Sequence, residues 1–209
     1  MNITEEQFAQ AVNSRSSKPI YEKLKAAHIG IAGLGGLGSN IAAALVRSGV
    51  GRLTIADFDR VELSNINRQL YSLKHIGQSK AEALSGILAE INPFCEVAGH
   101  CVKVTAENCA DIFAGCDIVC EAFDLPEQKA MLVNTLLEKF PEKYVVSGSG
   151  MAGFGRANEI VTRRITERFY LCGDGRTDVS GGDGLTAARV MVCAGHQASK
   201  AIELILGGE

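Results

Sequence analysis

The chain has 209 residues, 46% of them hydrophobic and 22% charged, the balance of an ordinary globular protein and not of a disordered, collagen-like or disulfide-scaffold chain. That length suits one core and is short for two independent domains. Lys and Arg number 21 against 24 Asp and Glu, a net charge of −3, so no global field draws the chain toward nucleic acid or an anionic membrane.

Apolar runs such as residues 29–32 and 41–46 fall far short of the roughly 20 needed to cross a bilayer. The polar start MNITEEQFAQAVNSR lacks the apolar core of a signal peptide, so the expected location is cytoplasmic. Residues 1–27 read as an N-terminal helical arm in which IYEKLKA is helical. HIGIAG follows as a short buried strand, NIAAALVRSG as a helix closed by Gly49, and RLTIADFD as a second strand. Further strands are expected at 96–102, 117–122 and 143–147, between helices at 78–91, 105–114 and 126–139. Strands alternating with helices imply an α/β, Rossmann-like, doubly wound and mostly parallel sheet, because parallel neighbours need helical crossovers. Closely spaced runs at 159–164 and 168–172 suggest an antiparallel C-terminal extension. The segment 173–184, GDGRTDVSGGDG, is too rich in Gly and Asp to pack a core and reads as a mobile crossover-type loop. A last helix over 185–206 would pack Ala187, Met191, Ala194, Ala198, Ile202 and Ile205 on the sheet. The whole, 1–209, reads as a single domain.

Seven cysteines lie at 95, 101, 109, 116, 120, 172 and 193 with no C-x-x-C pair, which argues against a disulfide framework or a four-cysteine zinc site. Packing as small hydrophobes suits most of them. The four histidines, 28, 75, 100 and 196, are too dispersed for a metal cluster, and His196 reads as a packing or surface residue. The terminal Gly207-Gly208-Glu209 reads as a fraying helix cap.

Gly33-Leu34-Gly35-Gly36-Leu37-Gly38 matches G-x-G-x-x-G between an expected strand and an expected helix, with Asp57 placed 19 residues after the last glycine. Glycine lets the backbone turn tightly and approach a phosphate, and the helix N-terminus beyond offers unpaired N–H groups. Asp57 can accept hydrogen bonds from a ribose. The loop alone leaves NAD and ATP both open. The polar segment beyond strand two, Asp57-Phe-Asp59-Arg-Val-Glu62-Leu-Ser64-Asn65-Ile-Asn67-Arg68-Gln69, followed by Lys80, is too irregular for a dehydrogenase helix. A planar guanidinium at Arg68 and an ammonium at Lys80 suit phosphate oxygens. A solvated charged loop with Ser64-Asn65 as a helix cap is the alternative.

The string GLGGLGSN…GVGRLTIADFDRVELSNINRQLY…IGQSKA…INP resembles the nucleotide-binding domain of the ThiF/MoeB/HesA family, relatives of the ubiquitin-activating enzymes. The resemblance is close over 28–125. The compact length, EAFDLPEQKAML and RVMVCAGHQASKAIELIL resemble most the short ThiF-like branch of thiamine biosynthesis. It implies ATP-dependent adenylation of the C-terminal Gly-Gly carboxylate of a ThiS-like sulfur carrier protein, with release of pyrophosphate. By the same resemblance Gly33, Gly35, Gly36 and Gly38 lie against the nucleotide and Asp57 holds the ribose. Asn65, Arg68 and Lys80 contact phosphates, and Asp124 holds Mg²⁺. Arg15 enters from the second subunit of a homodimer. Some relatives use a cysteine of the crossover region covalently, for which Cys172 is the candidate, with structural packing as its alternative.

The chain departs from the family pattern in having no zinc-binding C-x-x-C pairs, so no zinc is expected. It also has Leu125 and Lys129 where many members have Asn and Arg. Alternatives within the same reading are a cyclic threonylcarbamoyladenosine tRNA dehydratase, against which the acidic balance weighs, and a non-catalytic carrier-binding module. An NAD-dependent oxidoreductase has no use for Asn65, Arg68 and Lys80. Neither a nucleic-acid nor a membrane partner is expected.

Overall fold

A computed structural model of the chain describes residues 3–14, 17–182 and 184–207. The N-terminal arm is two helices, α1 (Glu5–Asn13) and α2 (Lys18–Ala26). Within the helical arm expected over residues 1–27, only IYEKLKA, and not α1, is singled out as helix. Thr4 supplies the missing signal, because its hydroxyl accepts from the Gln7 amide while the Gln7 side chain accepts from the Thr4 amide, a reciprocal cap that satisfies two orphan donors.

The expected alternation of strands and helices is observed. β1 (His28–Ala32), α3 (Gly36–Arg47), β2 (Arg52–Ala56), α4 (Lys80–Ile91) and β3 (Glu96–His100) form the first half. α5 (Cys109–Ile112), β4 (Ile118–Glu121), α6 (Pro126–Lys139) and β5 (Tyr144–Gly148) follow. β6 (Val161–Arg164) and β7 (Phe169–Gly173) make the antiparallel extension, and α7 (Ala187–Leu206) closes the chain. The sheet order is β3-β2-β1-β4-β5-β7-β6, parallel throughout except for β6 against β7. The chain reverses direction across the sheet between β1 and β4, the place where open α/β sheets gather ligands at the carboxyl ends of their strands.

Two apolar clusters sandwich the sheet. One joins α3, α4 and α7 through residues such as Ile41, Leu45, Leu84, Leu88, Val190 and Ala194. The other joins α5 and α6 through Phe113, Leu132 and Leu136. Phe113 reaches the sheet because Gly30 on β1 has no side chain; a Cβ there would stand 2.6 Å from the ring. The 105–114 helix is shorter than its periodicity suggests, and β3, an edge strand, ends two residues early.

The packed face of α7 keeps the expected Ala194, Ala198, Ile202 and Ile205 but is turned away from Met191. Its buried residues are Arg189, Val190, Cys193, Ala194, Gln197, Ala198 and Ala201, whereas Met191 is 55% exposed. Apolar spacing misplaces the face because two polar residues, Arg189 and Gln197, point inward with partners of their own. Gly207, in the left-handed region at φ 81, caps the helix; Gly208 and Glu209 lie outside the described residues.

Candidate nucleotide site

The glycine loop joins β1 to α3 directly beneath the reversal of the chain. Gly33 has φ +89, and a Cβ on it would meet the Ala122 carbonyl oxygen at 2.9 Å. Gly38 is tighter still, since its Cβ would stand 1.8 Å from the Gly33 carbonyl oxygen. These two glycines are needed for the turn itself. Gly35 is the more open of the other two, and the first amides of α3 have no side-chain cap, the arrangement that favours an anion.

Asp57, just past β2, fixes this loop. Its Oδ2 accepts from the Leu34 amide at 2.7 Å and its Oδ1 from the Asp59 amide at 2.8 Å. A carboxylate has about four lone-pair positions, so acceptor capacity remains for a ribose hydroxyl. The Tyr71 hydroxyl donates to the Leu34 carbonyl at 2.8 Å. Burial, aided by the charges of Asp57 and Asp59, raises its pKa well above the usual phenol range, so it stays a neutral donor.

The irregular polar segment folds over the same loop. It contains a single 3-10 turn, Leu63–Asn65, and a second, Leu73–His75, follows before Lys80, in agreement with a stretch too polar for an ordinary helix. The Asn40 amide, on the first turns of α3, ties the two together by donating to the Gly36 carbonyl at 2.7 Å and the Arg68 carbonyl at 3.3 Å. Arg68 lays its stem on the loop: a Cβ at Gly36 would be 3.5 Å from Arg68 Cγ, with Val190 of α7 closing the other side at 3.0 Å. The guanidinium donates to the Ser64 carbonyl and Asn67 Oδ1, both at 2.9 Å. Lys80, at the start of α4, is only 6% exposed. Its ammonium lies 2.8 Å from Asp59 Oδ2 and 3.9 Å from Asp57 Oδ2.

Asn65 is buried and caps its own turn, its Oδ1 accepting from the Glu62 amide at 3.1 Å. Its Nδ2 has one long bond, to Ser64 Oγ at 3.5 Å, and remains largely uncommitted. Asp124 is exposed beyond β4, one residue past Phe123, whose ring would lie 3.0 Å from a Cβ on Gly33. Asp57, Lys80 and Arg68 are therefore gathered around one loop, while Asn65 lies in the turn just before Arg68 and Asp124 directly follows Phe123. Arg15 lies outside the described residues.

Cys172 is not gathered there. It lies within β7 opposite Thr162 and is fully buried. Burial pushes its thiol up to about 11, against which the Thr162 hydroxyl acts only in part. A nucleophilic thiol needs exposure and a lowered pKa, so this environment favours packing. Among the described residues Cys101 is the exposed cysteine, Cys95 is half-buried and the other five are buried.

Four polar residues of the site escaped the sequence reading. Gln69 carries a buried Oε1 without a partner among the described residues, and its amide faces Gly35, 3.7 Å from where a Cβ would be. Its only sequence signal was its place in the polar run. Glu121, fully buried at the end of β4, accepts from the Phe123 amide, from Lys129 at 3.1 and 3.2 Å, and from Ser147. Lys129 thus neutralises an interior carboxylate. Asp174 and Arg189 form a second buried pair at 2.5 Å. Burial alone would raise the Asp174 carboxyl, but the Thr177 and Arg176 amides, the Thr177 hydroxyl and Arg189 hold it down to about 2. Arg189 also donates to the carbonyls of Gly155 and Arg156. The start of the Gly/Asp-rich segment is therefore strapped to α7 beside Gly36.

A tight glycine turn, a carboxylate with acceptor capacity to spare and two flanking cations at the carboxyl ends of a parallel sheet define a Rossmann-like α/β protein. The segment of irregular structure carrying Arg68 sets it apart from the dehydrogenase version of that fold. The chain belongs to the ThiF family, whose profile matches residues 8–209. It is 39% identical over 120 residues to a tRNA threonylcarbamoyladenosine dehydratase of Bacillus subtilis, covering 56% of this chain and 47% of that protein. It is 34% identical over 131 residues to a sulfur carrier protein adenylyltransferase of Thermus thermophilus, covering 62% and 43%. The chain thus spans less than half the length of these curated relatives. In fold it is similar to the Escherichia coli tRNA N6-threonylcarbamoyladenosine dehydratase crystallised with ATP, with a TM-score of 0.88, 22% identity, and coverage of 99% of this chain and 98% of that one. No described helix is long and apolar enough to cross a membrane.

Proposed function

We propose that the chain adenylates a carboxylate with ATP, and that the carboxylate belongs to threonylcarbamoyladenosine on a tRNA. The observation that carries the first half is the pair of cations beside the glycine loop: Arg68 lies along Gly36, and Lys80 stands between Asp57 and Asp59. Hydride transfer has no use for them. Attack of a carboxylate on the α-phosphorus, with loss of pyrophosphate, requires negative charge to be held on the transferring group and no protein nucleophile or base. The attacking carboxylate is already ionised near pH 7.

The residues suit the nucleotide. The orphaned Gln69 Oε1 can accept a hydroxyl or amine proton, and at Gly35 only the Gln69 amide stands near the approach to the α3 amides. Among the described residues no group of three or more His, Cys, Asp or Glu could hold a metal. Mg²⁺ usually needs only one or two carboxylates plus substrate phosphates, and Asp124 is the carboxylate for that role. Bound Mg²⁺ would supply charge neutralisation at the phosphates. In a homodimer, the partner subunit's Arg15 would complete the cationic wall.

The tRNA acceptor is favoured by the higher identity to the dehydratase of Bacillus subtilis. It departs from the expectation drawn from net charge, which averages over the surface and says little about any one face. The second reading, a ThiS-like carrier tail in thiamine biosynthesis, is favoured by the Thermus thermophilus relative and its longer matched stretch. ATP–pyrophosphate exchange driven separately by tRNA and by Gly-Gly-ended carriers decides between them, with NAD reduction as control. Arg68→Ala and Asp124→Ala should each lower the driven exchange at least about tenfold, or about 1.4 kcal/mol of barrier. Unchanged exchange in folded variants overturns the adenylation reading, and ATP binding without exchange identifies a non-catalytic module.

A further inference from the structure

The net charge of −3 hides a sharp asymmetry. Residues 156–176 hold five arginines, at 156, 163, 164, 168 and 176, against Glu159, Glu167 and Asp174. Asp174 is turned inward onto Arg189, which leaves the surface of this segment at +3 in a chain that is otherwise acidic. The fold gathers these arginines along one line. β6 and β7 form the outer antiparallel pair, and β6 is the terminal strand of the sheet, with its outer edge unpaired among the described residues. Arg156 and Arg176 stand at the nucleotide end. Arg163 and Arg164 follow on β6, pointing to opposite faces, and Arg168 stands at the far turn, stacked on Tyr144 at 4.4 Å.

Few of these charges are neutralised. Arg176 pairs with Glu159, and Arg168 has Glu167 at 3.8 Å. Arg163 donates to the Gly173 carbonyl at 2.8 Å, and Arg164 makes only long bonds to the carbonyls of Thr166 and Glu167. Among the described residues no carboxylate pairs with Arg156, Arg163 or Arg164. Arg156 holds a left-handed backbone, φ 46, uncommon for a residue other than glycine and a mark of a position shaped for use. Beside β6 a cleft of about 310 Å³ is lined by Thr162, Arg164, Tyr170, His196, Lys200 and Glu203. The Lys200 ammonium sits there 4.9 Å above the Tyr170 ring and 2.5 Å from Glu203. Its wall offers more donors than acceptors.

We propose that the β6–β7 edge is a docking strip for the phosphate backbone of an RNA. A linear, arginine-dominated row suits a polyanion, because the guanidinium fork meets phosphate oxygens two at a time. Local positive charge, and not the total, governs backbone affinity. The strip begins at the nucleotide end of the sheet, so an RNA lying on it can present a modified base to the glycine loop. The choice of RNA over another polyanion rests on the tRNA reading above.

The test uses the full chain and fluorescence anisotropy with labelled bulk tRNA across a salt series. Arg163→Glu/Arg164→Glu should weaken binding at least tenfold. The milder Arg163→Gln/Arg164→Gln should lower the slope of log affinity against log salt by about 2, roughly 1 per lost phosphate contact. MgATP binding should stay unchanged in both. Binding and salt slope equal to the parent in variants with a native melting point overturn the proposal, as does uptake of acidic carrier protein with no affinity for tRNA. The two readings fail separately. Arginine-dependent tRNA binding without tRNA-driven exchange supports the strip and removes the acceptor assignment. Exchange driven by tRNA but indifferent to both variants keeps the acceptor and removes the strip.

Discussion

Replacing Arg189 by Met tests whether the Gly/Asp-rich segment is strapped or free. The Arg189 and Asp174 side chains are 4% and 2% exposed. Removing the guanidinium strands the Asp174 carboxylate and leaves the Gly155 and Arg156 carbonyls without that donor. Breaking a buried ion pair from one side costs about 3–5 kcal/mol. Two features favour the lower figure: Asp174 keeps the Arg176 and Thr177 amides, and Arg189 Nε is buried without a partner, so part of the parent's gain is already lost. At roughly 2–4 °C per kcal/mol for a domain of this size, a loss of about 3 kcal/mol lowers the melting midpoint by about 6–12 °C. Asp174→Asn in the same chain removes the stranded charge and should recover part of that loss. Acid titration supplies an independent sign. The Asp174 carboxyl titrates at about 2 when folded, below the roughly 3.9 of an unfolded aspartate. Its stabilisation is therefore full above pH 4 or so and fades as the pH falls toward 2. Arg189→Met should flatten the stability curve in that window. Circular-dichroism melts between pH 2.5 and 7 measure both effects. A midpoint shift under about 2 °C, below 1 kcal/mol by the same scale, or a double variant no better than the single one, refutes the strap.

Glycine positions of the loop should divide into two kinds. Gly38→Ala drives a Cβ into the Gly33 carbonyl, backbone against backbone, and should abolish MgATP binding by calorimetry or the folded yield. Gly35→Ala meets only the Gln69 amide at 3.7 Å and should melt within about 1 kcal/mol of the parent. Thiol alkylation followed by mass mapping should modify Cys101 first, while Cys172, Cys193 and Cys120 stay unreacted in the folded chain. Their burial raises all three thiols, Cys172 to about 11 and Cys193 to about 12. Rapid labelling of Cys172 at pH 8, or a reductant-sensitive adduct with carrier and ATP that Cys172→Ser removes, would restore its nucleophilic role.

The parallel core was legible because its signals are local. HIGIAG followed by a glycine turn, and RLTIADFD ending in carboxylates, announce strand ends by composition alone, and buried parallel strands read as short continuous apolar runs. The glycine loop and the Asp57, Arg68, Lys80 set were legible for the same reason: they lie within fifty residues of chain. Interior polar networks were not. Gln197 is buried on α7 because its amide donates to the carbonyls of Glu121 at 2.9 Å and Val146 at 3.0 Å, partners 76 and 51 residues away. Nothing in a helical period reveals such partners. The face assigned to α7 therefore included Met191, although its Ala194 and Ala198 do lie in the core. Glu121 inside β4 is the same case, acceptable in the core only because Lys129, Ser147 and the Phe123 amide meet its oxygens.

Spacing places Arg68 and Lys80 at one site, but it does not reveal which charges they already face, and that difference ranks them. Lys80 is compensated by Asp59 at 2.8 Å and lies 3.9 Å from Asp57. A phosphate arriving there must share or displace a carboxylate, so its binding is an exchange of one anion for another. Asp59 is half exposed, at 48% for its side chain, whereas Asp57 is nearly buried and holds the Leu34 amide; Asp59 is the carboxylate that can be released into water. Among the described residues Arg68 faces only neutral acceptors, the Ser64 carbonyl and the Asn67 amide oxygen. No carboxylate pairs with it among the described residues, and giving up such bonds costs less than parting an ion pair. In the adenylation reading the larger share of triphosphate attraction therefore falls to Arg68, and Lys80 organises the carboxylates that shape the ribose side of the site. The exchange assay should then find Arg68→Ala more damaging than Lys80→Ala, whose loss should appear in part as reduced stability.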